Sequence, residues 1–131
     1  MRKWRVEYTK GAGADLGRFI EQYPLIWEEI KRIISLLAKE DDPRHPQDTE
    51  LNVVMIEYDA PGWWRVYIGK PGPQWVRLIF TLLGSRNTDK IEIGQRDLVD
   101  EFEDPKIIQI TDVSFRKDAY GKRLRDRYKN R

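Results

Sequence analysis

The 131-residue chain contains no cysteine, a single histidine and no long apolar run. The absence of cysteine excludes disulfides and thiolate metal sites, and it favours a reducing compartment such as the cytoplasm. One histidine with scattered carboxylates does not make a metal site, so we expect neither a metal nor another cofactor. No stretch approaches the ~18 apolar residues that mark a membrane-spanning helix, and the basic N-terminal segment lacks the apolar core of a signal peptide. These absences predict a cytoplasmic protein without a membrane segment.

Aromatic residues, in contrast, are abundant. Five Trp, six Tyr and four Phe supply large areas for burial, and 40% of the residues are hydrophobic. A chain of this length and composition is expected to form one folded domain over residues 1–131 rather than to stay disordered.

The small net charge of +2 hides an uneven distribution along the chain. The segment Val113–Arg131 holds eight Lys or Arg and two Asp, a charge of +6, so the rest of the chain carries −4. Within that remainder, residues 97–104 hold five acids and no base. A basic end that follows an acidic patch indicates an anionic partner. The alternative is a solvated terminal helix.

The N-terminal part of the sequence predicts a strand followed by two helices. Apolar and charged residues alternate over Lys3–Thr9, which is typical of a strand with one wet face. The glycine-rich stretch Gly11–Gly17 lacks the spacing of a phosphate-binding loop, and its beginning predicts a turn. Helical spacing then predicts a short helix up to Tyr23 and a second helix from Pro24 to about Lys39. We expect these helices to form an antiparallel hairpin packed on a sheet.

The rest of the sequence predicts mainly strands. After a polar loop at Asp41–Thr49, strand patterns follow at Leu51–Tyr58, Trp63–Lys70, Gln74–Leu83 and Asp89–Arg96. The pattern at Lys106–Val113 predicts a further short strand, and Ser114–Lys129 predicts a basic helix capped by Ser114. This order predicts an α+β fold whose mainly antiparallel, twisted sheet carries the helices on one face. Its core covers about residues 3–98, and residues 99–131 form a C-terminal extension.

Alternation within the predicted strands separates the two faces of the sheet. Trp64, Val66 and Ile68 belong to the core face, together with the apolar set of the next strand that begins at Val76. The opposite face then carries three arginines and several aromatic or charged residues: Arg65, Arg77, Arg96, Trp63, Tyr67, Trp75, Lys90 and Glu92. The sequence thus predicts a cationic, aromatic surface.

Such a surface suits binding of single-stranded RNA. Guanidinium groups bind phosphate bidentately, and Trp and Tyr rings offer faces on which unpaired bases stack. Two other interpretations stay open. Antiparallel sheets often place Arg, Thr and Tyr on a solvent face without any ligand. Trp, Tyr and Arg also dominate protein interfaces, so the ligand can be a protein.

Three short motifs, in this order along the chain, resemble the RelE/ParE superfamily of type II toxins. They are Arg65-Val66-Tyr67-Ile68-Gly69, then Trp75-Val76-Arg77-Leu78-Ile79-Phe80, and then Ile93-Gly94-Gln95-Arg96. With the preceding strand and helical hairpin, the resemblance covers about residues 3–98.

The resemblance implies a toxin that a cognate antitoxin neutralises by wrapping around it. RelE-like members enter the ribosomal A site and cut mRNA without a metal, by attack of the RNA 2′-hydroxyl on the adjacent phosphorus. A base removes the hydroxyl proton, and arginines stabilise the phosphorane. On matching positions, Arg77 and Arg96 are expected to clamp the phosphate, and Arg65 takes the place of a basic residue on the preceding strand. Tyr67 stands where some members carry a second lysine.

The remaining site residues and the general base are less defined. We expect RNA contacts from basic and aromatic residues near the clamp: Lys70, Trp63, Trp75, Lys90, Tyr120 and Lys122. The base is open among Lys70, Tyr67, Glu92 and Tyr120. In many members of the superfamily a His or Tyr follows the last strand closely. No His or Tyr follows Arg96 closely here, so two alternatives remain. One is a ParE-like inhibitor of DNA gyrase, and the other is a non-catalytic relative that binds RNA or protein.

Overall fold

The computed structural model describes residues 3–56, 62–69, 75–83 and 106–116. These stretches contain two helices and five strands: β1 (Arg5–Tyr8), α1 (Lys10–Gln22), α2 (Pro24–Lys39), β2 (Val53–Met55), β3 (Trp64–Ile68), β4 (Val76–Leu83) and β5 (Ile107–Phe115). The α+β class predicted from the sequence is confirmed. The predicted strand Asp89–Arg96 and most of the predicted C-terminal helix lie outside the described residues. Within the described part of the chain, no helix is long and apolar enough to cross a membrane.

The five strands form one mixed sheet in the order β1-β5-β4-β3-β2. Strands β2 to β5 pair antiparallel, whereas β1 pairs parallel with β5. The last strand of the described residues, β5, therefore lies between β1 and β4. Two parallel strands need a long connection, and here the chain between the end of β1 and the start of β5 forms that connection.

Helix α1 begins earlier than the sequence predicts. The Thr9 hydroxyl accepts a hydrogen bond from the Ala12 N–H at 3.2 Å, which is the arrangement of an N-cap. The expected turn at Gly11–Gly13 is therefore wrong, because these residues form the first turn of α1. Helix α2 spans Pro24–Lys39 as predicted, with the proline in its first turn, where no N–H is needed.

The core lies between the two helices and one face of the sheet. Ile30, Ile34 and Leu37 of α2 are buried there, as are Leu16 and Phe19 of α1. The sheet contributes the residues that strand alternation assigned to the core face: Trp64, Val66, Ile68, Val76, Leu78, Phe80 and Leu82. Both helices thus cover the same face, and the assignment of these strand faces is confirmed.

Strand β5 is longer than the sequence predicts and contains a bulge. Its pairing with β4 shifts between Ile79 and Phe80, which leaves Thr111 as the extra residue. The strand then continues past Val113, with Ser114 paired to Arg77. The prediction of Ser114 as a helix cap is wrong, because Ser114 is a fully buried strand residue.

Candidate functional site

The candidate site lies on the sheet face opposite the helices, which we call the second face. Strand β3 contributes Arg65 and Tyr67, and β4 contributes Arg77. Strand β5 contributes Asp112 and Ser114, which the bulge at Thr111 brings to this face. In register, Arg77 stands between Tyr67 on one side and Ser114 on the other.

Much of the second face is buried. The side chains of Arg77, Trp63 and Ser114 are 0% exposed, and Asp112 is 1% exposed. Trp63 packs with Ile56 and Ile79 in a second apolar cluster. The expectation of an open surface is therefore wrong for Arg77 and Trp63. An indole in that position offers no face on which a base can stack.

The buried polar residues of the second face form a layer of their own. The Ser114 hydroxyl donates to Asp112 Oδ1 at 3.0 Å. Asp112 pairs in register with Ile79, two residues from Arg77, so the acid and the guanidinium are diagonal neighbours across β4 and β5. A buried Arg stays charged and needs acceptors. We infer that Arg77 belongs to this polar layer and stabilises the packing of the sheet.

The accessible part of the second face includes a stack of two cations and two rings, here called the Arg–aromatic stack: Arg65, Tyr67, Trp75 and Arg116. The rings of Tyr67 and Trp75 are stacked, with centroids 4.0 Å apart and planes 25° apart. The Arg65 guanidinium lies 5.3 Å from the Tyr67 centroid. That of Arg116 lies 5.3 Å from the Trp75 centroid. Arg116 is exposed, and the other three are half-buried.

Backbone pairing fixes the outer end of this stack. The Arg116 N–H donates to the Trp75 carbonyl at 2.7 Å, so the two residues stay adjacent where β4 begins and β5 ends. Each cation faces the electron-rich side of a ring, which is the favourable arrangement. The stack therefore presents positive charge and flat aromatic area together, at one end of the sheet.

The structure brings together only some of the residues that the sequence singled out. Arg65, Tyr67 and Trp75 lie in the stack. Arg77 lies beside Tyr67 but is buried, and Trp63 is buried in the apolar cluster. The other predicted residues lie outside the described part of the chain: Lys70, Lys90, Glu92, Arg96, Tyr120 and Lys122.

Sequence reasoning missed Arg116 and Asp112. It ended the strand at Val113 and began the basic helix at Ser114, whereas β5 continues to Phe115 and the helical conformation begins at Arg116. A signal was present, because Ile108, Ile110, Val113 and Phe115 are all apolar and all buried. The extra residue Thr111 shifts their spacing by one, so alternation with a strict period of two does not assign all four to one strand face.

Other titratable groups lie away from the stack. His45 is exposed in the loop at Asp41–Thr49. In the same loop, burial raises the pKa of Asp42, but the hydrogen bonds from Arg44 outweigh it and hold that pKa below its ordinary value. Across residues 3–56, 62–69, 75–83 and 106–116, no group of three or more His, Asp or Glu is arranged to hold a metal ion.

Comparison with protein-family models, curated proteins and solved structures gives no match to this chain. The assignment of a function therefore depends on the residues described above.

Proposed function

We propose that the chain is a RelE-like toxin of a type II toxin–antitoxin system, acting in the cytoplasm as a ribosome-dependent mRNA endoribonuclease. One observation carries the proposal: the Arg–aromatic stack at the end of the sheet, on the face away from the helices. Guanidinium groups bind phosphate and aromatic rings bind unpaired bases, so this combination suits single-stranded RNA.

The proposed reaction is attack of an RNA 2′-hydroxyl on the adjacent phosphorus. The 2′-oxygen to phosphorus bond forms, the bond to the 5′-oxygen breaks, and a proton moves from the nucleophile to the leaving oxygen. In this proposal Arg65 and Arg116 stabilise the charge that develops on the phosphorane oxygens. Arg77 has a supporting role, because its guanidinium has no exposed surface. Arg96 remains a candidate for the same clamp.

The burial of Arg77 favours a second candidate, a non-catalytic relative that binds RNA through the stack. In it the strand arginine serves packing, and the stack alone contacts the ligand. A DNA gyrase inhibitor of the same fold is the third possibility. In both toxin proposals the expected protein partner is a cognate antitoxin.

The test is induced expression of the full chain in bacteria, with growth curves and mapping of mRNA 5′ ends on translated messages. We expect growth arrest and new cuts that vanish when translation initiation is blocked. Arg116→Gln is expected to reduce the cutting rate by about 10²–10³-fold, as does removal of one charge-stabilising group from other active sites.

The matched control is Lys39→Gln, which removes one exposed charge from the end of α2. The Lys3 N–H donates to the Ala38 carbonyl, and β1 begins beside the start of β5, so Lys39 lies near the end of the sheet opposite Arg116. If growth stops without mRNA cuts and gyrase loses its DNA supercoiling activity, the nuclease proposal is wrong and the gyrase inhibitor is favoured. If the chain binds RNA but neither cuts mRNA nor inhibits gyrase, the non-catalytic relative is favoured.

A further inference from the structure

We propose that Trp75 and Arg116 form a nucleotide subsite in which an unpaired base displaces the Arg116 guanidinium from the Trp75 ring. The displaced guanidinium then binds the phosphate next to that base. This inference rests on the proposed function for the identity of the polymer as RNA. It adds the substrate class, an unpaired segment, and the place where one base is held.

Among the described residues, the geometry of the stack leaves one face of the Trp75 ring for a base. The Tyr67 ring covers one face of Trp75 with centroids 4.0 Å apart. The Arg116 guanidinium therefore lies over the other face, 5.3 Å from the centroid. Arg116 is the exposed member of the stack, so its side chain is the one that can leave without unpacking the sheet.

The exchange replaces a weak contact by two stronger ones. An exposed cation–π contact is weaker than the stacking of a base on an aromatic ring. A guanidinium that leaves the ring gains a charge-assisted pair with phosphate. Burial of one Trp75 face on Tyr67 also holds the indole in place before the base arrives, which lowers the ordering cost of binding.

The backbone keeps Arg116 within reach of the phosphate after its side chain turns. Its N–H donates to the Trp75 carbonyl at 2.7 Å, so only the side chain moves. A base within a duplex cannot reach the ring without unpairing, which selects single strands. An acidic peptide would use the two guanidinium groups but would gain nothing from the Trp75 face that Arg116 leaves.

The test measures binding of a short single-stranded oligoribonucleotide and of a hairpin duplex by the full chain, using fluorescence anisotropy at several salt concentrations. We expect Trp75→Leu to weaken single-strand binding about 10-fold. Trp75→Phe keeps a ring that can stack and should retain part of the affinity, which separates loss of stacking from loss of folding. Arg116→Gln should reduce the salt slope by about 1.

Two matched controls are available. Trp27 is also half-buried and also carries a cation over its ring, Lys31 at 5.6 Å, but it lies on α2. Trp27→Leu should leave RNA affinity unchanged, and Lys39→Gln should leave the salt slope unchanged.

The outcomes separate this subsite from the proposed function. Equal affinity of Trp75→Leu and the parent chain overturns the subsite, even if mRNA is cut in cells. Equal affinity for duplex and single strand overturns it as well. A third outcome is that a poly-glutamate peptide binds with the same affinity as the oligonucleotide and that Trp75→Leu does not change the affinity for the peptide. This outcome points to a protein ligand instead. If Trp75→Leu weakens RNA binding but no mRNA is cleaved in cells, the subsite is supported and the nuclease proposal is wrong.

Discussion

Arg77 carries a permanent charge at a position with no exposed surface. Its neighbours on β5 are Ser114 directly across and Asp112 on the diagonal, and the Ser114 hydroxyl already donates to Asp112. A buried charge of this kind needs opposite charge and hydrogen-bond acceptors nearby, and Asp112 and Ser114 are the buried polar residues next to it on β5. The residue that looks most like a phosphate ligand in the sequence is thus part of the structural interior.

We expect Arg77→Ala to lower the free energy of unfolding by about 3–5 kcal/mol, because it leaves the buried Asp112 carboxylate without its diagonal cation. Urea denaturation followed by circular dichroism measures this. The control is Arg5→Ala, which removes an exposed ion pair with Glu7 at 2.9 Å and should cost about 0–1 kcal/mol. Similar losses for the two variants would mean that Arg77 does not belong to the polar layer.

At the scale of single elements, α1 contains two glycines that packing does not require. A Cβ built on Gly13 or Gly17 meets no atom within 4 Å apart from its chain neighbours and the nearby backbone of its own helix. The helix nevertheless forms because Thr9 caps it and because its apolar residues reach the core. Tertiary packing outweighs the weak helix preference of glycine.

We expect Gly13→Ala to raise the free energy of unfolding by about 0.5–1 kcal/mol, because alanine loses less conformational freedom in a helix. Thermal denaturation measures the change. Gly69→Ala is the contrasting variant: there the backbone φ is +90°, so a side chain is strained and stability should fall. A decrease for Gly13→Ala would mean that its Cβ meets a neighbour after all.

At the scale of the whole molecule, one buried carboxylate joins the two ends of the described chain. Asp15 of α1 is 7% exposed, and its Oδ2 accepts the Val113 N–H of β5 at 3.0 Å. Strand β1 ends its pairing at Ile110, so none of the five described strands pairs with Val113 on that side. The carboxylate takes the place of a strand carbonyl just past the bulge, and it helps to hold Asp112 and Ser114 on the second face.

We expect Asp15→Ala to lower the free energy of unfolding by about 1–3 kcal/mol, since it leaves the buried Val113 N–H without an acceptor. Asp15→Asn keeps an oxygen in the same place and should cost less. Urea denaturation of both variants distinguishes a hydrogen bond from simple packing. Equal losses for the two would indicate that the charge of Asp15, rather than its acceptor atom, holds β5.

Patterns in the sequence alone predict the α+β class, helix α2 and the core faces of β3 and β4. These follow from local periodicity, which records the side of an element that is buried. Alternation also placed Arg65 and Tyr67 on one face. Three features are visible only in the folded protein: β5 lies between β1 and β4, Arg77 is buried, and Arg116 covers Trp75. These features depend on pairing between distant segments and on a bulge that shifts the strand period, and local patterns do not encode them.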